Sequence, residues 1–154
     1  LQSFCERNGV ELSILRLPGI YGAHDKETSI VSKIVQSSLS KKMFDLYGDG
    51  NDLRDYVYIK DIVRLVTIIA FKEKGTGLIN VATGKSISIK SLIKIVSEMF
   101  GQCKINKCNS EARHYDATFN IDTFIQKVPD FIFTEIEKGL QEYNKVNWDK
   151  TNCE

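Results

Sequence analysis

The sequence contains no Gly-x-Gly-x-x-Gly, no Walker loop, no Gly-x-Ser-x-Gly and no His-Glu-x-x-His. It therefore offers none of the short signatures of a dinucleotide loop, a triphosphate cradle, a serine hydrolase or a zinc protease. Its 4 cysteines, Cys5, Cys103, Cys108 and Cys153, include no Cys-x-x-Cys pair, and only His24 and His114 could join them. No metal site is expected, and the thiols are expected to be reduced. Neither sign of charge dominates: 21 Lys plus Arg stand against 20 Asp plus Glu. That balance excludes a broad electrostatic footprint for nucleic acid or an anionic membrane, so an anionic ligand must be held by a few placed cations. No apolar run approaches the length of a membrane span, and the N-terminus lacks the basic start and apolar block of a signal peptide. The expectation is a cytoplasmic protein with no membrane or nucleic-acid partner.

What is present is an ordinary globular composition, 42% hydrophobic and 27% charged, in 154 residues, enough for one domain with a real core. Leu1, Phe4 and Cys5 lie at helical spacing and Gly9 stands where a helix-ending glycine would, so a helix is predicted from the first residue. Val10 to Leu17 alternates and ends apolar, predicting a strand buried on at least one face. Gly19-Ile20-Tyr21-Gly22-Ala23-His24 reads as a loop leaving the C-terminal end of that strand, the edge where open α/β sheets bind ligands; a plain two-glycine turn fits equally. Helix, glycine, strand and loop form the second half of a βαβ unit, so the chain reads as starting inside a larger α/β domain.

Ser29 to Leu39 has apolar residues at i, i+3, i+4 and predicts an amphipathic helix. Met43 to Tyr47 predicts a strand, Gly48-Asp49-Gly50 a turn, and Tyr56 to Ile59 another strand. Asp61 is placed to cap a helix over Ile62 to Phe71 whose apolar residues nearly surround it, which predicts deep burial. Leu78 to Ala82 predicts a short strand, and Ser86 or Ser88 can cap a helix from Ile89 to Phe100 that ends at Gly101. Cys103 to Asn109 reads as a brief strand and loop, Thr118 to Asp122 as β-like, and a last helix is predicted from Thr134 to Tyr143.

Tyr56-Val-Tyr-Ile-Lys60 spells Tyr-x-x-x-Lys, a catalytic pair when helical spacing brings phenol and ammonium together. Here the pattern alternates like a strand, which would hold the two groups roughly 13 Å apart, so the pair is set aside. Arg54 follows a tight turn and precedes a strand; it offers a rigid fork suited to phosphate oxygens, while a salt bridge to Asp52 or Asp55 is the commoner local outcome. Arg113, with Asp116 three residues on, stands likewise before a β run. Two such forks suit a diphosphate.

In order along nearly the whole chain, ILRLPGIYG, LYGDGNDLRDYVYIKDIV, GLINVATGKSISIKSLIKIV and, more weakly, EARHYDATFNIDTF resemble blocks of the extended short-chain dehydrogenase/reductases, the NAD-dependent epimerase/dehydratase or nucleotide-sugar epimerase family. The resemblance implies the C-terminal part of a Rossmann-type doubly wound sheet plus a small α/β substrate-binding domain. Residues 1–28 and about 61–84 would contribute to the first, about 29–60 and 85–154 to the second. By that resemblance Gly19, Ile20 and Tyr21 border the nicotinamide end of NAD or NADP. Asp45, Leu46 and Tyr47 border the base of a nucleotide-diphosphate sugar, Arg54 and Arg113 bind its diphosphate, and Asp116 lies near the nucleotide. Where the family carries Asn in its first block this chain has Gly19, and the following proline is Ala23.

The family's cofactor loop and Tyr-x-x-x-Lys are expected upstream of Leu1, so no catalytic residue is assigned and the chain alone is predicted inactive. The missing N-terminal Rossmann portion would be its first partner, with a homodimer also open. A non-catalytic nucleotide or nucleotide-sugar binding module is the alternative, and a fragment structured only by association with its other half is a third.

Overall fold

The computed structural model describes residues 1–22, 25, 29–71, 75–108 and 114–142. Helix α1 (Gln2–Asn8) ends at Gly9, whose φ of 63° lies in the left-handed region while its neighbour's N–H closes on the Cys5 carbonyl. Strand β1 (Ser13–Arg16) pairs in parallel with β6 (Gly77–Asn80), in a register from Ser13↔Gly77 to Arg16↔Asn80. Residues 10–12 and 17, expected to lengthen β1, lie outside the strand.

Gly19–Tyr21 corrects the expectation of a loop. These residues form β2, parallel to β5 (Tyr56–Tyr58), with Gly19 opposite Tyr56 and the Gly19 N–H donating to the Asp55 carbonyl at 3.1 Å. The partner strand lies far along the chain, so nothing local to residues 19–21 could announce the pairing.

Helix α2 (Ile30–Ser40) is capped by Ser29, whose hydroxyl accepts from the Ser32 N–H at 3.1 Å. Helix α4 (Ile89–Phe100) is capped by Ser88, which accepts from the Ser91 N–H at 3.1 Å; of the two serines the sequence left open, Ser88 takes the role. The two helices pack on each other, burying Val31, Ile34 and Val35 from one and Leu92, Ile93 and Val96 from the other. Each leads into a strand, α2 into β3 (Met43–Tyr47) and α4 into β8 (Lys104–Cys108), and those strands pair in parallel. The short β4 (Leu53–Arg54) pairs antiparallel with β7 (Ile87–Ser88).

The strand β5 divides two cores. Tyr56 and Tyr58 enter one, with Tyr21, Val35, Leu46 and Leu92; Val57, on the opposite face as strand alternation requires, enters the other with Leu65, Ile79, Val81 and Phe124. All three are buried, which a strand on the surface could not achieve.

Helix α3 (Ile59–Ala70) departs from its expectation twice. Its N-cap is Tyr58, without a side-chain cap bond, and Asp61 sits in the first turn. Asp61 instead accepts from the Thr134 N–H at 2.7 Å and the Thr134 hydroxyl at 3.0 Å, tying down the start of a last helix, α6 (136–142). Nor is α3 enclosed: Ile62, Leu65 and Ile69 are buried, but Val63 and Val66 are exposed. The predicted β run at 118–122 is also absent. Ala117 makes a single bridge to Arg54, and Asn120 then turns the chain, its side chain accepting from the Asp122 N–H at 2.9 Å where α5 (Asp122–Lys127) begins.

Candidate functional site

Of the residues singled out from the sequence, Arg54 and Asp116 meet at β4, while Asp45, Leu46 and Tyr47 lie on β3 and Gly19, Ile20 and Tyr21 on β2. Asp52, Leu53 and Arg54 run alongside residues 114–117, held there by a ladder of bonds. The Ala117 N–H donates to the Leu53 carbonyl at 2.9 Å, the Leu53 N–H donates to Asp116 Oδ1 at 2.8 Å, and the Tyr115 N–H donates to Asp52 Oδ1 at 3.3 Å. Arg54 takes the ion pair that local reasoning favoured, Nη2 to Asp52 Oδ2 at 3.1 Å, and not a pair with Asp55. It also donates to the carbonyls of Leu53 and Tyr115, and its guanidinium lies 5.5 Å from the centre of the Tyr115 ring. The side chain stays about a quarter exposed, so it is held in place yet open on one side. Arg113 lies outside the described residues.

The Asp116 carboxyl is held below the usual carboxylate range, chiefly by the Leu53 N–H and further by His114 and Arg54. The loop carboxyl of Asp49 is lowered too, first by the N–H of Asn51. The sequence had passed over Asp52, His114 and Tyr115 as site members; only their placement beside Arg54 brings them in.

On β3 the side chains alternate. Leu46 is 4% exposed and packed in the core, so only its backbone can face a ligand, whereas Tyr47 is exposed and Asp45 accepts from Asn106 Nδ2 at 2.7 Å. On β2, Gly19 is exposed and Tyr21 is buried, its hydroxyl reaching the Ile136 carbonyl at 3.5 Å and its titration pushed up by burial. A Cβ at Gly19 would lie 3.0 Å from the Tyr56 ring and 3.2 Å from the Asp55 carbonyl, so a larger residue would have to displace that ring. As to a dinucleotide, Gly19, Ile20 and Tyr21 carry no charge. They offer it backbone groups and no side-chain cation for its pyrophosphate.

The strand expected over Tyr56 to Ile59 ends at Tyr58, and Ile59 and Lys60 already belong to α3, so the Tyr56-x-x-x-Lys60 stretch is neither one strand nor one helix. The Tyr56 hydroxyl is buried without a partner among the described residues, and burial raises it to about 12. Lys60 pairs with Glu142 at 2.6 Å, and the Tyr58 hydroxyl donates to the same carboxylate at 3.3 Å. Asp55, buried, accepts from the Thr83 N–H, the Thr83 hydroxyl and the Gly84 N–H at 2.9 to 3.0 Å, so it organises the turn after β6. An apolar cavity of about 420 Å³ is lined by Ile87, Phe124, Phe131 and Ile136 with Tyr56 at one wall; none of Gly19, Asp45, Arg54 or Asp116 borders it. Among the described residues no group of three or more His, Cys, Asp or Glu is placed to hold a metal, and no helix is long and apolar enough to cross a membrane.

Residues 1–82 match the model of the NAD dependent epimerase/dehydratase family. A UDP-glucuronate 4-epimerase of Thermodesulfobacterium geofontis (strain OPF15) is 30% identical over 150 residues, which are 95% of this chain and 45% of that protein. The chain thus spans about half the length, or less, of the relatives it matches. Among solved structures, the UDP-N-acetylglucosamine 4-epimerase from Methanobrevibacter ruminantium M1 in complex with UDP-N-acetylmuramic acid superposes with a TM-score of 0.82 at 26% identity, over 97% of this chain and 50% of that one. The Thermus thermophilus UDP-glucose 4-epimerase in complex with NAD superposes at 0.80 with 17% identity, over 94% and 49%; at that identity the likeness speaks for the Rossmann-like fold.

Proposed function

Because the chain belongs to the NAD dependent epimerase/dehydratase family, we propose that it is the nucleotide-sugar-holding portion of an NAD(P)-dependent nucleotide-sugar epimerase, dehydratase or reductase. The observation that carries this reading is the joining of two distant blocks, Asp52 to Arg54 and His114 to Ala117, into one wall with a partly exposed guanidinium at its centre. Arg54, with Arg113, binds the diphosphate, and Asp116 lies near the nucleotide. Asp45, Tyr47 and the backbone of Leu46 border the base. The family is NAD-dependent, and Gly19, Ile20 and Tyr21 border the nicotinamide of NAD or NADP. The bound cofactor supplies a hydride acceptor and donor; this chain's residues hold and orient the sugar beside it, which suits a site whose rate depends on positioning.

In the same reading residues 1–28 and about 61–84 belong to the Rossmann part and about 29–60 and 85–154 to the substrate part. Asp45, Tyr47, Arg54, Arg113 and Asp116 hold the nucleotide sugar, and none of them is assigned the chemical step. Calorimetry with UDP-, GDP-, CDP- and dTDP-glucose tests the site: one of them should bind, and Arg54→Ala should weaken it by about 1.5 to 3 kcal/mol, the worth of a hydrogen bond to a charged group. Undiminished affinity in Arg54→Ala, or no binding by any of the four, would overturn the diphosphate role.

A further inference from the structure

The wall at β4 contains a residue that the proposed function leaves unused. The His114 imidazole stands between two carboxylates, Nδ1 at 2.8 Å from Asp52 Oδ1 and Nε2 at 3.0 Å from Asp116 Oδ1. Both nitrogens can donate only when the ring is an imidazolium; the neutral ring has one N–H and must release one carboxylate. Asp52 is the partner of Arg54, and Asp116 accepts the Leu53 N–H that fixes β4. The ring is therefore tied to both ends of the ladder that presents Arg54.

We propose that His114 is a positioning residue for the nucleotide-sugar diphosphate, acting through Asp52 and Asp116 on Arg54; this rests on the binding reading given above. With His114 charged, two cations, Arg54 and His114, balance Asp52 and Asp116. With it neutral, the wall carries one net negative charge and a diphosphate meets a carboxylate that no longer has its second partner. Among the described residues, Asp49, in the turn before β4, is a further charged group that interacts with the ring, and Asp49 is itself near Lys90 of α4.

The probe is UDP-glucose, whose diphosphate diester does not titrate in the range where an imidazole does, so any pH dependence belongs to the protein. Affinity should fall roughly fivefold as the pH is raised through the loss of the His114 ring proton, the size expected for one charge several ångströms from a diphosphate in a wet site. His114→Gln should bind throughout at the level the wild type reaches with a neutral ring. A flat wild-type profile, or the same profile in His114→Gln, overturns the proposal. A second, ligand-free measurement separates it from the substrate reading: in NMR spectra the Leu53 amide should shift with the His114 ring titration and stop doing so in Asp116→Asn. If UDP-glucose does not bind, the pH series is run with whichever of GDP-, CDP- or dTDP-glucose binds, and if none of the four binds the substrate reading falls; a Leu53 amide that ignores the ring titration overturns the His114 proposal in any case.

Discussion

At the scale of single residues, several side chains have environments that decide what their replacement does. The Tyr56 hydroxyl is buried and unpartnered among the described residues, so Tyr56→Phe should be neutral or stabilise the fold by up to about 1 kcal/mol, because a desolvated hydroxyl that makes no bond is a net cost. Chemical or thermal unfolding checks this, and a loss of more than 1 kcal/mol would mean the hydroxyl has a partner. Gly139 has the opposite character. A Cβ there would overlap the Tyr21 hydroxyl and lie 2.9 Å from its ring carbon Cζ, so Gly139→Ala should destabilise by about 1 to 3 kcal/mol as an overpacked contact. For Asp116 the sign of the pH effect follows from its lowered titration. Its contribution is complete above the ordinary carboxylate range and is lost as the pH falls through and below about 4; hydrogen exchange at the Leu53 amide should therefore quicken in acid, and not on the alkaline side. None of these three behaviours is readable from the sequence. Tyr56 and Gly139 look like any tyrosine in a strand and any glycine in a helix, and only the neighbour that tertiary packing supplies gives each its meaning.

At the scale of elements, legibility followed how local the causes were. Helices α2 and α4 were readable because their apolar spacing lies within each element; the structure then makes Ser29 and Ser88 their caps, and Ser88→Ala should cost about 1 kcal/mol in an unfolding titration. Helix α3 was read correctly as a helix but misread at its start and in its burial. Asp61 looked like a cap, yet it is 2% exposed and serves Thr134 at the head of α6. Asp61→Ala should therefore cost about 2 to 4 kcal/mol, more than a cap, since two donors lose their partner inside the protein. A cost under 1 kcal/mol would restore the capping role. Strand β2 and helix α5 were missed for a shared reason: one is three residues long and depends on a distant partner, the other is six residues started by an Asn120 turn.

At the scale of the whole molecule, the β1–β6 ladder leaves Ile14 and Leu78, directly opposite each other, on an exposed face, while Leu15 and Ile79 point to the interior. Leu1 before α1, Phe4 within it, and Val63 and Val66 of α3 are exposed as well. Apolar surface of this extent favours association or a covering partner, so the chain alone should bind a hydrophobic dye or self-associate. Ile14→Lys with Leu78→Glu should reduce both while the far-ultraviolet circular dichroism is kept; unchanged dye binding would place the apolar surface elsewhere. The family blocks and the existence of helices α2 and α4 were determined by the sequence itself, because motif order and apolar period act over a few residues. Which carboxylate Arg54 would meet, that β5 would separate two cores, and that His114 would bridge Asp52 and Asp116 were decided only by the tertiary structure. Asp52 is close to Arg54 in sequence, but Asp55 is taken by Thr83 and Gly84. The two cores draw on distant segments, and His114 reaches Asp52 from far along the chain. Such partners are chosen by the packing of strands and helices, which no short stretch encodes.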